Sequence, residues 1–230
     1  MKIALSILTL DFSNVENKFR SLAEGVDYIH MDIMDAEFVP NISFGYSIVA
    51  NLRKLTDKPF DTHLMMMHPQ NYINQFASAG SQYITFHVEA DCDVMSTINQ
   101  IKDAGVKAGI SIKPNTSVEE IEKYLPYVDM VLVMSVEPGF GGQKFMPSAI
   151  DKVKKLKELK EKNNYNYLIN IDGGINGETA PYISKYVDLA VSGSYICNAT
   201  NPDERIEILK KLWYIEEEPM GSFFLKLYIL

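Results

Sequence analysis

The chain alternates from end to end between short apolar runs and runs with helical spacing. The apolar runs lie at 2–8, 27–34, 60–66, 83–89, 107–113, 130–136, 167–172 and 189–194. Short runs without polar alternation are typical of parallel strands, because helices cover both faces of such a sheet. Eight of these units predict an α/β fold, a single-domain (β/α)₈ barrel. An open doubly wound sheet is the alternative.

The segments between the predicted strands have the spacing of amphipathic helices. In a Lys- and Glu-rich segment, Ile150, Val153 and Leu156 recur every third residue, and Pro147 and Ser148 mark its start. Similar spacing predicts helices over 13–24, 72–79, 94–104 and 202–213. The segment after KPNTSVEE predicts only a short helix.

Composition narrows the class of protein further. A hydrophobic content of 47% with 11% aromatic residues is enough for a sizeable core. The net charge of −8 argues against nucleic acid as a partner, since binding to the phosphate backbone requires a concentrated basic face. Cys92 and Cys197 are too few for a disulfide framework, which favours a reducing, cytoplasmic location.

Neither end of the chain predicts a membrane segment. The first residues, MKIALSILTLDF, have a short apolar stretch that Asp11 interrupts, so we expect a strand and not a signal peptide. The barrel is expected to span 1–214, with Pro219 helping to end its last helix, and an apolar tail follows at 215–230. This tail is shorter than the roughly 20 residues of a membrane span, so we expect it to pack on the barrel or on a partner subunit.

Polar side chains interrupt the apolar runs near the ends of three strands. In HMDIMDAEFVPN, His30 and Asp32 share one strand face, as Asp61 and His63 do on the next strand, and Asp172 ends the seventh. The carboxyl ends of barrel strands converge at one mouth, so these side chains should meet. His30, Asp32, His63 and Asp172 would form a ligand set for a divalent ion such as Zn²⁺, Fe²⁺ or Mn²⁺.

Glycines cluster in the loops after the last three strands. They occur in PGFGGQKF, DGGI and SGS. Glycine lets backbone N–H groups approach an anion closely, and the last two loops are where barrels often hold phosphate. Gly173, Gly174, Gly193 and Ser194 are therefore the candidate phosphate-binding residues.

Taken together, these motifs resemble the ribulose-phosphate 3-epimerase family, which includes allulose-6-phosphate 3-epimerase. The match runs from Ser6 in ALSIL to Ser194, through HMDIMDAEFVPN, DTHLMM, VLVMSVEPGFGGQKF, NIDGGI and SGS in the order and spacing of the family. The resemblance implies a (β/α)₈ barrel that interconverts ketose phosphates differing at C3. It also implies one bound divalent metal ion, which could be Zn, Fe, Mn or Co, with zinc favoured.

The resemblance also implies a role for each matching residue. It makes Asp32 and Asp172 the acid–base pair and, together with His30 and His63, the metal ligands. The implied substrate contacts are Ser6, Met34, His63, Met65, Met134 and a mobile loop of Gly139, Phe140, Gly141 and Gly142. The phosphate would meet Gly173, Gly174, Gly193 and Ser194.

The expected reaction is conversion of D-ribulose 5-phosphate to D-xylulose 5-phosphate through an enediolate, a step of the pentose phosphate pathway. We expect a cytoplasmic homo-oligomer with a small phosphorylated ketose as substrate and without nucleic acid or membrane partners. A hexulose phosphate such as allulose 6-phosphate is the alternative substrate. A sugar-phosphate-binding barrel without catalysis is the alternative function, and an indole-glycerol-phosphate-type barrel would instead use Lys113 and Glu89.

Three residues near the predicted site have a separate interpretation. Ala36 stands where the family usually has glycine, and Leu5 where it usually has proline. Both positions are expected at the rim of the site, so they bear on substrate fit more than on the chemistry. Asp35 is expected to cap the turn before Phe38.

Overall fold

Eight parallel strands close into a barrel. A computed structural model describes residues 1–212, and in it the strand order runs from β1 to β8, with β8 paired back onto β1. The strands are β1 (Lys2–Ser6), β2 (Tyr28–Met34), β3 (Phe60–Met65), β4 (Tyr83–His87), β5 (Lys107–Ile112), β6 (Met130–Met134), β7 (Leu168–Asp172) and β8 (Leu189–Ser192). Each strand begins and ends within two residues of its predicted position. The predicted (β/α)₈ barrel is confirmed, and the open sheet is wrong.

Helices on the outside of the barrel connect most of the strands. They are α1 (Val15–Gly25), α2 (Tyr46–Arg53), α3 (Ile73–Ser78), α4 (Val94–Asp103), α5 (Ser148–Asn163), α6 (Ala180–Ile183), α7 (Ser194–Cys197) and α8 (Pro202–Lys211). The side chain of Asp93 accepts a hydrogen bond from the Ser96 amide at the start of α4, which satisfies an N–H group that the helix cannot. Asn164 ends α5 in a left-handed conformation, with φ of 54°.

The connection between β5 and β6 differs from the others. The short helix predicted there is a 3-10 helix over Glu119–Tyr127. Pro126 lies inside this segment and has no N–H group to donate one turn back, so a regular α-helix would lose a hydrogen bond. Ile121 and Leu125 are buried, so the segment still covers the barrel wall.

The two faces of the strands build two different interiors. Outward-facing residues such as Ile3, Ile29 and Phe60 pack under the helices in the largest apolar cluster. Inside the barrel, the amino-terminal end is closed by Ala4, Tyr28, Tyr83, Met130, Leu189 and Val191. Further along the strands, buried polar side chains face the inside of the barrel. They are Ser6, His30, Asp32, Asp61, His63, Thr85, His87, Ser111 and Asn170. The carboxyl half of the interior is therefore polar, which explains the interrupted apolar runs.

The segment after β2 turns sharply at the rim of the barrel. Asp35 Oδ1 accepts hydrogen bonds of 2.9 Å from the amides of Glu37 and Phe38, as the predicted cap requires. Its Oδ2 accepts a third hydrogen bond, of 2.7 Å, from the Met67 amide and so ties this turn to the end of β3. Ala36 has φ of 60°, a left-handed conformation that favours glycine. The departure from glycine at this position therefore places strain in the backbone.

The predicted boundary of the barrel at residue 214 and the apolar tail at 215–230 lie outside the described residues, so both stay predictions. Within 1–212, every helix is too short or too polar to cross a membrane. The catalytic and binding residues predicted from the sequence all fall within 1–212.

Candidate active site

A cavity of about 550 Å³ opens at the carboxyl end of the strands. Asp32 and Asp172 both line it. The other predicted residues in its lining are Ser6, Met34, Met65, Met134, Gly139, Phe140, Gly141, Gly142, Gly173, Gly174, Gly193 and Ser194. His30 and His63 are fully buried next to Asp32. The structure therefore brings all the predicted site residues to one place.

Four candidate metal ligands converge from β2, β3 and β7. One nitrogen or oxygen atom from each of His30, Asp32, His63 and Asp172 lies within 4.8 Å of the others. His30 Nε2 and His63 Nδ1 are each 3.3 Å from Asp32 Oδ1, and His30 Nε2 is 3.8 Å from Asp172 Oδ2. Parallel pairing sets Asp32 directly opposite His63, whereas Asp172 reaches the group only because the barrel closes.

The donor atoms of this group fit a divalent cation. His30 Nε2 is buried and has no hydrogen-bond partner among residues 1–212, although two carboxylates lie nearby. When the imidazole is neutral, with its proton on Nδ1 toward Asp61, Nε2 offers a lone pair, and imidazole with carboxylate is a common ligand set for zinc and related ions. A cation would also balance two buried carboxylates, which are costly to desolvate without a partner.

The pKa values of the two carboxyl groups are shifted in opposite directions. Burial alone would raise the pKa of Asp32, but in the absence of an ion the neighbouring side chains of His30 and His63 hold it well below its usual range. Burial, and then the negative charge of Asp32, raise the pKa of Asp172 to about 7. One ionised and one protonated carboxyl group within 4.8 Å of each other can act as a base and an acid.

Asp61 holds His30 in place, and no role was predicted for it from the sequence. Its Oδ2 lies 2.9 Å from His30 Nδ1 and accepts a 3.0 Å hydrogen bond from the Asn170 side chain, while Oδ1 accepts one of 3.1 Å from Thr85. These bonds orient His30 so that Nε2 faces the other candidate ligands. The signal was present in the sequence, because Asp61 shares a strand face with His63.

Ser6 and the methionines surround the carboxylates. Ser6 Oγ donates a 2.7 Å hydrogen bond to Asp32 Oδ2, which fixes the orientation of that carboxylate. Met34, Met65 and Met134 are nearly buried and line the cavity. Thioethers are polarisable and donate no hydrogen bonds, so they enclose the cavity without competing for a proton.

The glycine-rich loop after β6 is tied to the segment after β2. Asn41 Nδ2 donates a 2.8 Å hydrogen bond to the Gly139 carbonyl, across 98 residues of sequence. Gln143 Nε2 donates to the carbonyls of Glu137 and Phe140, at 2.6 and 2.9 Å. Asn41 lies within a motif noted in the sequence, but its spacing there gave no indication of this distant partner.

The indole-glycerol-phosphate-type alternative requires Glu89 and Lys113 as its catalytic pair. Both residues make contacts outside the cavity. Neither belongs to the described residues that line the cavity. Glu89 accepts hydrogen bonds from His87 Nδ1 at 3.0 Å and from the Lys113 amide at 2.7 Å, and the ammonium group of Lys113 lies 3.8 Å from the ring centroid of Phe38. Their positions argue against that alternative.

Gly173 and Gly174 let the chain turn immediately after Asp172. Their φ angles are 123° and 67°, which residues with a side chain rarely adopt. A Cβ atom on Gly174 would lie 2.5 Å from the backbone nitrogen of Phe145, so the obstacle is backbone and cannot rotate away. This turn brings Gly174 into the cavity lining beside Asp172.

Gly174→Ala is therefore expected to lower the free energy of unfolding by about 2–4 kcal/mol, from left-handed strain plus overpacking. It should also weaken the binding of inorganic phosphate, because the turn must shift. Gly105→Ala is the matched control, since Gly105 has φ of 78° but open space around the position of a Cβ atom, and it should cost only about 1–2 kcal/mol. Urea unfolding and phosphate titration measure both effects, and equal losses in the two variants would contradict the prediction.

Comparison with known proteins agrees with the geometry. The model of the ribulose-phosphate 3 epimerase family matches residues 2–197. Ribulose-phosphate 3-epimerase of Bacillus subtilis (strain 168) is 42% identical over 213 residues, which cover 91% of this chain and 98% of that protein. The enzyme of the same name from Treponema pallidum (strain Nichols) is 40% identical over 200 residues, covering 86% of this chain and 92% of that protein.

Solved structures of other proteins share the fold. The 3-hexulose-6-phosphate synthase from Salmonella typhimurium has a TM-score of 0.70 at 19% identity, with 93% of this chain and 98% of that chain covered. The 3-keto-L-gulonate-6-phosphate decarboxylase from Vibrio cholerae has a TM-score of 0.70 at 15% identity, with 92% and 96% covered. At such identities the likeness concerns the barrel alone.

Proposed function

The chain belongs to the ribulose-phosphate 3-epimerase family, and we propose that it interconverts D-ribulose 5-phosphate and D-xylulose 5-phosphate. One observation carries the proposal. Asp32 and Asp172 line the same cavity with carboxyl oxygens within 4.8 Å, and their pKa values are shifted in opposite directions. This arrangement also argues against a barrel that only binds sugar phosphates, since binding alone does not require an acid and a base.

Inversion of a carbon requires a proton acceptor on one side and a proton donor on the other. The C3 hydrogen of a 2-ketose is acidic because its removal leaves an enediolate. Asp32, as the ionised group, takes the C3 proton, and Asp172, as the protonated group, delivers a proton to the opposite face. The two groups exchange roles in the reverse reaction.

The same four side chains are proposed to hold one divalent ion. The free lone pair of His30 Nε2, together with His63 Nδ1 and the carboxylates of Asp32 and Asp172, supports this assignment. Zinc is favoured because four nitrogen and oxygen donors suit it, and iron, manganese and cobalt are the alternatives. When bound, the ion stabilises negative charge that develops on the substrate oxygens.

The remaining predicted residues are proposed to bind the substrate. Gly173, Gly174, Gly193 and Ser194 would hold the phosphate, which their shared position in the cavity lining supports. Ser6, His63, Met34, Met65 and Met134 would surround the reacting carbons, and Gly139, Phe140, Gly141 and Gly142 would cover them. Phe140 is 55% exposed, so its ring is available to contact a bound molecule.

Parallel assays with two substrates test the proposed function. Ribulose 5-phosphate should be turned over with a kcat/KM roughly tenfold or more above that of allulose 6-phosphate, because the additional carbon must fit the same cavity. A higher value for allulose 6-phosphate would assign the chain to hexulose phosphates. Binding of both sugars without turnover of either would favour the non-catalytic barrel.

A cytoplasmic location and assembly into a homo-oligomer are part of the proposal. Cys92 and Cys197 are free thiols in the described part of the chain, which fits a reducing compartment. Exposed apolar side chains such as Ile42, which is 70% exposed, are available to pack in a subunit interface. Light scattering of the purified protein measures the number of subunits.

A further inference from the structure

We propose that His87 and Glu89 are positioning residues that hold His63 in the tautomer needed to bind the metal ion. Their hydrogen bonds leave the lone pair of His63 Nδ1 free to face the other ligands and thereby set the metal affinity of the protein. The inference rests on the proposed function, since it concerns the same ion. No role was predicted for His87, and Glu89 was predicted only as a catalytic residue of the indole-glycerol-phosphate-type alternative.

An array of hydrogen bonds runs from His63 toward the rim of the barrel. His63 Nε2 lies 2.9 Å from His87 Nε2, and both side chains are fully buried. His87 Nδ1 lies 3.0 Å from Glu89 Oε2. Glu89 Oε1 in turn accepts hydrogen bonds from the Lys113 amide, at 2.7 Å, and from the Thr116 hydroxyl. His87 and Glu89 therefore each have a hydrogen-bond partner on both sides, and His63 has one through Nε2.

The chemistry of these groups determines which atom donates each hydrogen bond in the array. A carboxylate only accepts hydrogen bonds, so His87 Nδ1 must carry the proton that it shares with Glu89. The other nitrogen of a neutral imidazole is then an acceptor, so His63 must donate from Nε2. His63 Nδ1 is left as a bare acceptor, 3.3 Å from Asp32 Oδ1. Two acceptors cannot form a hydrogen bond with each other, and a bound cation would remove the repulsion between them.

The outer end of the array is anchored. The ammonium group of Lys152 donates hydrogen bonds to the carbonyls of Lys113, Pro114 and Thr116, at 2.9, 2.7 and 2.6 Å. These bonds fix the segment whose amide and hydroxyl groups hold Glu89. The carboxylate therefore cannot turn away from His87 without breaking contacts on both of its oxygens.

The two ligand histidines are supported in different ways. His30 donates from Nδ1 directly to the carboxylate of Asp61, which is the usual arrangement behind a metal-bound histidine. His63 does not contact a carboxylate through Nε2. It contacts His87, which in turn contacts the carboxylate of Glu89, so Glu89 orients His63 through His87. The ring of Phe38 packs against His87 with a centroid distance of 4.8 Å and helps to keep that imidazole in line.

Glu89→Gln tests the direction of the array with almost no change in volume. The amide oxygen can satisfy the Lys113 amide and the Thr116 hydroxyl, which leaves the amide N–H facing His87 Nδ1. His87 must then donate from Nε2, and His63 carries its proton on Nδ1, where the ion should bind. We expect Zn²⁺ affinity to fall by about 10- to 100-fold, measured by competition with a chromophoric chelator.

Nitrogen-15 NMR of the metal-free protein reads the tautomer without relying on activity. His63 should be protonated on Nε2 in the wild type and on Nδ1 in Glu89→Gln.

His87→Leu should weaken Zn²⁺ binding to a similar extent, and His87→Gln should restore part of it, because its amide can accept from His63 and donate to Glu89. Glu37→Gln is the matched control, since Glu37 is 61% exposed beside His68, and it should leave affinity and tautomer unchanged.

A folded Glu89→Gln variant that binds Zn²⁺ with wild-type affinity would overturn the inference. So would a wild-type protein with His63 protonated on Nδ1. Failure of the proposed metal site has a different signature, in which the wild type itself takes up no stoichiometric Zn²⁺, and the inference then falls with it. Circular dichroism and thermal unfolding of each variant show whether a change in affinity reflects a lost fold.

Discussion

Asp172→Asn is expected to lower kcat/KM for ribulose 5-phosphate by roughly 10³- to 10⁴-fold while the barrel stays folded. An amide at this position can neither release nor accept a proton near neutral pH, whereas the pKa of Asp172, raised to about 7, suits both steps. Exchange of the C3 hydrogen with solvent deuterium, followed by NMR, reports the proton transfer directly. Exchange should be lost for the epimer whose C3 hydrogen faces Asp172.

Asp151→Asn is the matched control for this change. Asp151 lies on α5 with its side chain 87% exposed, so the same substitution there should leave turnover and exchange intact. Exchange that continues undiminished for both epimers in Asp172→Asn would remove the residue from the acid–base pair.

The stability of Asp172→Asn separates a chemical defect from a folding defect. The folded-state pKa of Asp172, about 7, lies above its ordinary value of 3.8, so the fold favours the protonated carboxyl group. That contribution to stability is complete below pH 3.8 and is lost as the pH rises through 7. The metal-free asparagine variant should therefore be at least as stable as the metal-free wild type at pH 8, as thermal unfolding can measure.

Removal of divalent ions is expected to lower turnover by about 10³-fold or more, because several kcal/mol of charge stabilisation is lost. One equivalent of Zn²⁺, Fe²⁺, Mn²⁺ or Co²⁺ per chain should restore it. Ca²⁺ is the control ion, since it prefers oxygen ligands and a larger coordination number than two imidazoles and two carboxylates provide. Metal analysis alongside turnover measures the stoichiometry, and full activity with much less than one ion per chain would contradict the prediction.

The barrel was predictable because its strands are buried on both faces. Such strands appear in the sequence as continuous apolar runs, and polar residues among them stand out. His30, Asp32 and His63 were recognised for this reason, and the convergence of strand ends then placed Asp172 with them. Their meeting within 4.8 Å agrees with that reasoning, while their roles stay predictions.

Other contacts around the site and in the fold were not predictable in the same way. His87 contacts His63 through one pair of nitrogens, 2.9 Å apart, and this depends on two side-chain orientations that spacing does not specify. The bond from Asn41 to Gly139 depends on how two loops meet over the cavity. The 3-10 helix at Glu119–Tyr127 likewise depends on local hydrogen bonding around Pro126, which apolar spacing does not describe.

Closure of the barrel has a consequence for how the protein can be studied. Three of the proposed ligands come from β2 and β3, and the fourth comes from β7, on the far side of β8 and β1 in the ring. An amino-terminal half of the chain would carry His30, Asp32 and His63 but lack Asp172, and the complementary half would carry Asp172 alone. Uptake of the ion during refolding would therefore report closure of the barrel, because the four proposed ligands come together only when β8 pairs with β1.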